Sequence, residues 1–248
     1  MKQTLTMLSF IIGGFMSCGA QQTYPVETFK TDKGDEVQIS LINHGSLAIS
    51  YKGTSIQIDP VGNFYNQKID YSSFPKADYI LITHEHGDHL DKATIDALSK
   101  ESTKLILNEK SQKQIGKGII MNNGEQMAEN GIVIKAVPAY NTTIGRENFH
   151  PKGNGNGYVL EFDGLNIYIS GDTEDIPETT QLEKIDVAFL SMNQPYTMTP
   201  QQCINAAKML QPAVLIPYHM GETNWEEFQN AFDIECSGIE LKMHKELK

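Results

Sequence analysis

The sequence predicts an α/β domain built on two sheets with helices outside. Three observations predict it. Short apolar runs at 37–42, 47–51 and 55–58 are separated by turn residues, the spacing of an antiparallel meander. Later runs at 79–83, 187–191 and 214–218 are almost wholly apolar, as in strands buried on both faces. Helix-length segments at 91–100 and 200–210 lie between these later runs, so strands alternate with helices in the second part of the chain.

Each element follows in order. Asn43-His44-Gly45 and Lys52-Gly53-Thr54 are the turns of the meander, and Asp59-Pro60 closes its third strand. Residues 79–83 form a buried strand before a polar loop. Residues 91–100 read as a helix with Ile95 and Leu98 on one face. Strands are expected at 105–107 and 132–137. Residues 141–157, rich in Asn and Gly, read as a long loop in which glycines 153, 155 and 157 permit bending. The runs 158–162 and 165–170 flank Asp163-Gly164, a hairpin signal. A strand at 187–191, a helix opened by Pro200 and running to Leu210, a strand at 214–218 and a helix at 224–232 complete the chain.

A chain of 248 residues, 40% hydrophobic and 21% charged, has an ordinary globular composition, which excludes disordered and fibrous classes. Its net charge of -11, with no run of Lys or Arg, argues against gripping nucleic acid. Lys2 precedes an apolar stretch with no further charge until Glu27. The expected organisation is a lipoprotein-type signal peptide at 1–17, a tether at 18–30 and the folded domain at 31–248. Cys18 would carry lipid and hold the protein at a bacterial cell envelope, facing the periplasm or the exterior. Plain secretion and an uncleaved N-terminus are the alternatives. Cys203 and Cys236 are isolated and read as ordinary buried thiols.

The run His84-Glu85-His86-Gly87-Asp88-His89 carries the chemistry. On extended backbone His84 and His86 point the same way and can share one metal ion. Asp88 and His89 follow, near the start of the predicted helix, and can hold a second. Imidazole and carboxylate are the usual ligands of zinc and similar ions. His150 lies in the long loop, while Asp172 and His219 each follow a predicted strand.

This series, with Gly171-Asp172-Thr173, Pro217-Tyr218-His219 and an early Asp59, resembles the metallo-β-lactamase-fold hydrolase superfamily over roughly residues 35–222. Within it the chain looks most similar to the ascorbate-6-phosphate lactonase-like bacterial hydrolases. The resemblance implies an αββα four-layer sandwich, two mixed sheets with helices outside, and a site at the shared sheet edge. It implies that His84, His86 and His150 bind one divalent metal and that Asp88, His89 and His219 bind a second. Asp172 would bridge the two, with Asp88 and Asp172 the catalytic carboxylates. Zinc is the expected metal, with manganese or iron also compatible. The implied activity is hydrolysis of a small lactone, ester or amide by a hydroxide held between the metals. Alternatives are a phosphodiesterase of the same fold, a di-iron oxidoreductase and a metal-binding surface lipoprotein without catalysis. Asp59 and His44 are candidates to steer the metal-binding loop, and Lys152 to hold a substrate anion. Tyr140, Asn141, Asn193, Tyr196 and Tyr218 are candidates to line the pocket. A small-molecule substrate is the expected partner, with the membrane met only through the lipid anchor.

Overall fold

A computed structural model describes residues 23–248. Its first sheet draws on β1 (Val26–Lys30), β2 (Glu36–Asn43), β3 (Ser46–Tyr51) and β4 (Thr54–Ile58). A small hairpin follows, β5 (Asn63–Phe64) with β6 (Gln67–Lys68), and then β7 (Tyr79–Leu81), α1 (Lys92–Leu98), β8 (Lys104–Leu107), α2 (Glu109–Ile115) and β9 (Ile119–Ile120). The second sheet draws on β10 (Gln126–Glu129), β11 (Ile132–Ala139), β12 (Gly155–Phe162), β13 (Leu165–Ile169) and β14 (Val187–Ser191). It continues through α3 (Pro200–Leu210), β15 (Val214–Tyr218), α4 (Trp225–Glu235) and β16 (Glu240–Leu241).

The sheets are ordered β1-β2-β3-β4-β7-β8-β9 and β10-β11-β12-β13-β14-β15-β16. Each begins antiparallel and ends parallel, the change falling at β4–β7 in the first and β13–β14 in the second. Antiparallel strands need only hairpins, whereas the parallel ones need crossovers; α1 to α4 supply those of β7–β8, β8–β9, β14–β15 and β15–β16, and the β5–β6 hairpin lies in that of β4–β7.

Packing explains the four layers. Along β7, Tyr79 and Leu81 face the second sheet while Ile80 faces the helices, the period of two that a strand imposes. Ile39, Leu41, Ile58 and Leu81 meet Leu160, Ile167, Phe189 and Ile216 between the sheets. Ile95, Leu98 and Ile115 of α1 and α2 cover the outside of the first sheet. Cys203, Ile204, Phe228 and Phe232 of α3 and α4 cover the second. Phe228 and Phe232, one helical turn apart and both about 1% exposed, would each cost about 3–5 kcal/mol if cut to Ala. Thr199 and Gln202 cap α3 reciprocally, with Pro200 in the first turn where its missing N–H costs nothing. The αββα sandwich expected from the sequence is the observed fold.

Two details differ from that expectation. Residues 26–30, placed in the tether, pair with β2 along their whole length, and Phe29 packs against the core. Their alternation of apolar and polar residues suits an edge strand. Gly155 and Gly157 lie within β12 rather than in a loop. A Cβ on Gly157 would stand 2.9 Å from the Ser170 carbonyl oxygen, and one on Gly155 2.9 Å from that of Ala139. These glycines allow close backbone approach. Of glycines 153, 155 and 157, Gly153 alone is left-handed, with φ +84°. The signal peptide, and Cys18 with its lipid, fall outside the described residues. Among the described residues no helix is long and apolar enough to cross a membrane.

Candidate metal centre

The ends of the parallel strands supply the site, as is general for open α/β sheets. Asp59 follows β4, Thr83 and His84 follow β7, Gly171 and Asp172 follow β13, and His219 follows β15. The two sheets are tied at this rim, the Asn156 N–H donating to the Thr83 carbonyl and the His219 N–H to that of His44.

Asp59 is fully buried. It accepts from the Thr83 N–H and hydroxyl, each at 2.7 Å, and from His89 Nδ1 at 2.8 Å. That last bond fixes the His89 tautomer and leaves its Nε2 aimed inward, 3.4 Å from Asp172 Oδ1. Asp59 therefore holds Thr83 and His89 in place at the start and end of the His84–His89 run. The His89 ring lies over Gly45, where a Cβ would stand 2.9 Å from its Cε1.

His84 and His86 come together as their spacing requires, with 3.0 Å between His84 Nε2 and His86 Nδ1. The His150 ring centroid lies 5.0 Å from each of theirs. His150 Nδ1 faces the Tyr196 carbonyl at 3.1 Å and Asn141 Oδ1 at 3.2 Å. A carbonyl only accepts, so Nδ1 carries a proton, and Nε2 faces Asp172 Oδ2 at 3.2 Å. Asn141 thus orients His150 instead of lining the pocket. Tyr218 likewise acts from behind: fully buried, its oxygen accepts from the Gly171 N–H at 2.9 Å and so sets where Asp172 begins. Gly171 is required there, because a Cβ would lie 2.7 Å from the Asn156 carbonyl oxygen.

Glu174 was not legible in the sequence. Its buried carboxylate accepts from the N–H groups of Thr142 and Thr143 and from the Thr142 hydroxyl, and so pins the loop that carries His150. Burial raises its pKa, but these donors outweigh burial and lower it.

The electrostatics are those of a cation site. Burial pushes Asp172 and Asp88 up, yet the surrounding imidazoles outweigh it and hold both carboxyls well below the usual range. Burial first, and the neighbouring His89 ring second, hold His84 well below the ordinary imidazole value. Three sets of donor atoms lie within 4.8 Å of one another: His84 with His86 and His150, His44 with Asp88 and His219, and His84 with His89 and Asp172. Three buried atoms, His89 Nε2, His150 Nε2 and Asp172 Oδ1, point into the centre without a hydrogen-bond partner. Leaving such groups unpaired costs about 1–3 kcal/mol each. Coordination to a cation would satisfy such groups.

The pocket above the centre has a volume of about 440 Å³ and includes Phe64, Tyr65, Phe149, Asn193 and Tyr196 in its wall. Phe64 and Tyr65 come from the β5–β6 hairpin, and the sequence signal for them is an adjacent aromatic pair in a turn region. Lys152 does not reach the pocket. The Gly153 turn carries it to the surface, where it donates to Glu178 at 2.7 Å and to the Tyr140 hydroxyl at 3.0 Å. Tyr140 is occupied in that same contact. Cys203 and Cys236 are buried away from the site as free thiols, and burial raises both above the ordinary thiol pKa.

Known proteins are similar in sequence and fold. Residues 38–219 match the family model of the beta-lactamase superfamily domain. A UPF0173 metal-dependent hydrolase of Thermococcus kodakarensis is 30% identical over 86% of this chain and 99% of its own. A crystallised Parabacteroides distasonis protein assigned to the metal-dependent hydrolases is 50% identical, covers 91% of this chain and 100% of its own, and superposes with a TM-score of 0.85. The metallo hydrolase Igni18 of Ignicoccus hospitalis shares the fold at 23% identity and a TM-score of 0.71, over 86% of this chain and 96% of its own. Fold, clustered donors and relatives agree that the chain belongs to the beta-lactamase superfamily, as a metal-dependent hydrolase of the metallo-β-lactamase fold.

Proposed function

We propose that the centre holds two divalent metals, zinc by its donor set, and hydrolyses a small uncharged lactone, ester or amide. The convergence of unpartnered buried atoms from His89, His150 and Asp172 carries this reading. His84, His86 and His150 would hold one ion, Asp88, His89 and His219 the other, and Asp172 would touch both. Imidazole-rich sets suit zinc, while the two carboxylates also admit manganese or iron. When bound, such a pair lowers the pKa of water to about 7 and polarises the scissile oxygen. Asp88, one-third exposed and facing the pocket, is placed to hold a proton of the attacking water. No protein nucleophile is needed, and the two cysteines are buried elsewhere.

The substrate class follows from the wall. Among the described residues lining the pocket there is no Lys or Arg, and Phe64, Tyr65, Phe149 and Tyr196 form an apolar rim. A phosphate held away from the metals would meet no countercharge, which weighs against lactones carrying a distal phosphate.

The test is a panel of neutral lactones, aryl esters and anilides beside partners carrying a distal phosphate, run on metal-loaded protein. The neutral members should be hydrolysed with kcat/KM at least about 10-fold above the phosphorylated ones. The Cys203→Ala, Cys236→Ala double variant should keep most of that activity. Preference for the phosphorylated members, or turnover of none, would contradict the proposal.

A further inference from the structure

One imidazole at the centre has no metal role in the reading above. His44 sits in the turn between β2 and β3 with φ +50°, a conformation that costs a residue other than glycine roughly 1–3 kcal/mol. A hairpin turn would take Asn or Gly there without that cost. The chain keeps a buried histidine instead, its ring centroid 3.7 Å from that of His219.

The hydrogen bonding fixes what this ring offers. Its Nδ1 lies 3.0 Å from the Lys248 carbonyl oxygen. A carbonyl accepts only, so Nδ1 carries the proton and donates. In the neutral ring Nε2 is then a bare lone pair, and it faces Asp88 Oδ2 at 3.5 Å. A charged imidazolium would close on that carboxylate to about 2.7–2.9 Å. The observed gap is wider than such a bond, and a cation held between the two groups would satisfy both. His219 Nε2 faces the same oxygen at 3.4 Å. The donor atoms of His44, Asp88 and His219 all lie within 4.8 Å of one another, close enough to share one ion.

We propose that His44 Nε2 is a ligand of the second metal, beside Asp88 and His219. The assignment rests on the two-metal reading above and adds a donor from the meander of the first sheet. It makes the β2–β3 turn part of the metal centre and accounts for the strained residue there.

The test is a cobalt(II) titration of the full-length protein after chelation, read by visible absorption and calorimetry. The wild type should take up two ions. The His44→Asn variant keeps an N–H for the Lys248 carbonyl but presents no ring nitrogen toward Asp88. It should bind the first ion as the wild type does and the second at least about 100-fold more weakly, the upper end of what loss of a partner behind a ligand costs. The absorption of the second ion should change with it. In His44→Ala, added imidazole should restore second-ion binding, which a purely structural role for His44 would not allow. A folded His44→Asn with both affinities and the spectrum unchanged overturns the assignment alone. If His44→Asn does not fold, absence of imidazole rescue in His44→Ala overturns it. A wild type that takes up a single ion overturns the two-metal reading, and this assignment with it.

Discussion

Replacing Asp172 with Ala should reduce hydrolysis by on the order of 1000-fold, beyond the 10–100-fold that losing a partner behind a metal ligand costs. Asp172 is buried and central: its Oδ2 lies 3.2 Å from His150 Nε2 and 3.4 Å from His219 Nε2, and its Oδ1 3.4 Å from His89 Nε2. Histidines from both proposed ligand sets meet at this one carboxylate. Without it two divalent ions would repel each other with no shared anion, and at least one should leave. Steady-state kinetics with metal analysis of the same sample checks this. The Asp172→Asn variant separates charge from shape, and it should remain impaired while keeping the fold. Near-normal activity in Asp172→Ala would remove the basis for a bridged pair.

The second large effect is on stability. Asp59→Ala should destabilise the protein by about 3–5 kcal/mol, because removing one partner of a buried charged pair strands the others. The groups stranded are the Thr83 N–H, the Thr83 hydroxyl and His89 Nδ1, all buried. For a chain of this size the melting temperature should fall by roughly 10 °C. Metal uptake should fall too, since His89 would no longer be held with Nε2 inward. Thermal denaturation of chelated and metal-loaded samples measures both effects. A shift of only a few degrees in the chelated state would show that Asp59 is not the post on which this loop is built.

The sequence made the heart of the fold legible and its margins less so, for a physical reason. β14 and β15 are buried on both faces, so their apolar runs coincide with the observed strands. Helix α2 has the sequence Glu-Lys-Ser-Gln-Lys-Gln-Ile and buries only Ser111 and Ile115, so no apolar period announces it. Its remaining signals are the cap Asn108 and Gly116, left-handed at φ +76°. β9 is exposed and two residues long, and β5 and β6 are as short, below any pattern. At the site, the residues clustered in sequence or following buried strands converge, and His150 joins them because Asn141 and Glu174 hold its loop. The expectation for Lys152 fails because nearness in sequence to His150 does not say which way a chain leaves a turn. The orienting roles of Asn141 and Tyr218, and the pinning role of Glu174, depend on contacts across 9, 47 and 31–32 residues, which no local pattern encodes.

Metal content tests the central claim most directly. Full-length protein, purified without added metal and then equilibrated with excess zinc and desalted, is to be assayed for metal per chain, beside a His84→Ala, His86→Ala double variant. The account predicts close to two ions in the wild type and at least one fewer in the variant, with the fold retained in both. A wild type that retains no tightly bound metal, or a variant that retains as much as the wild type, would contradict it.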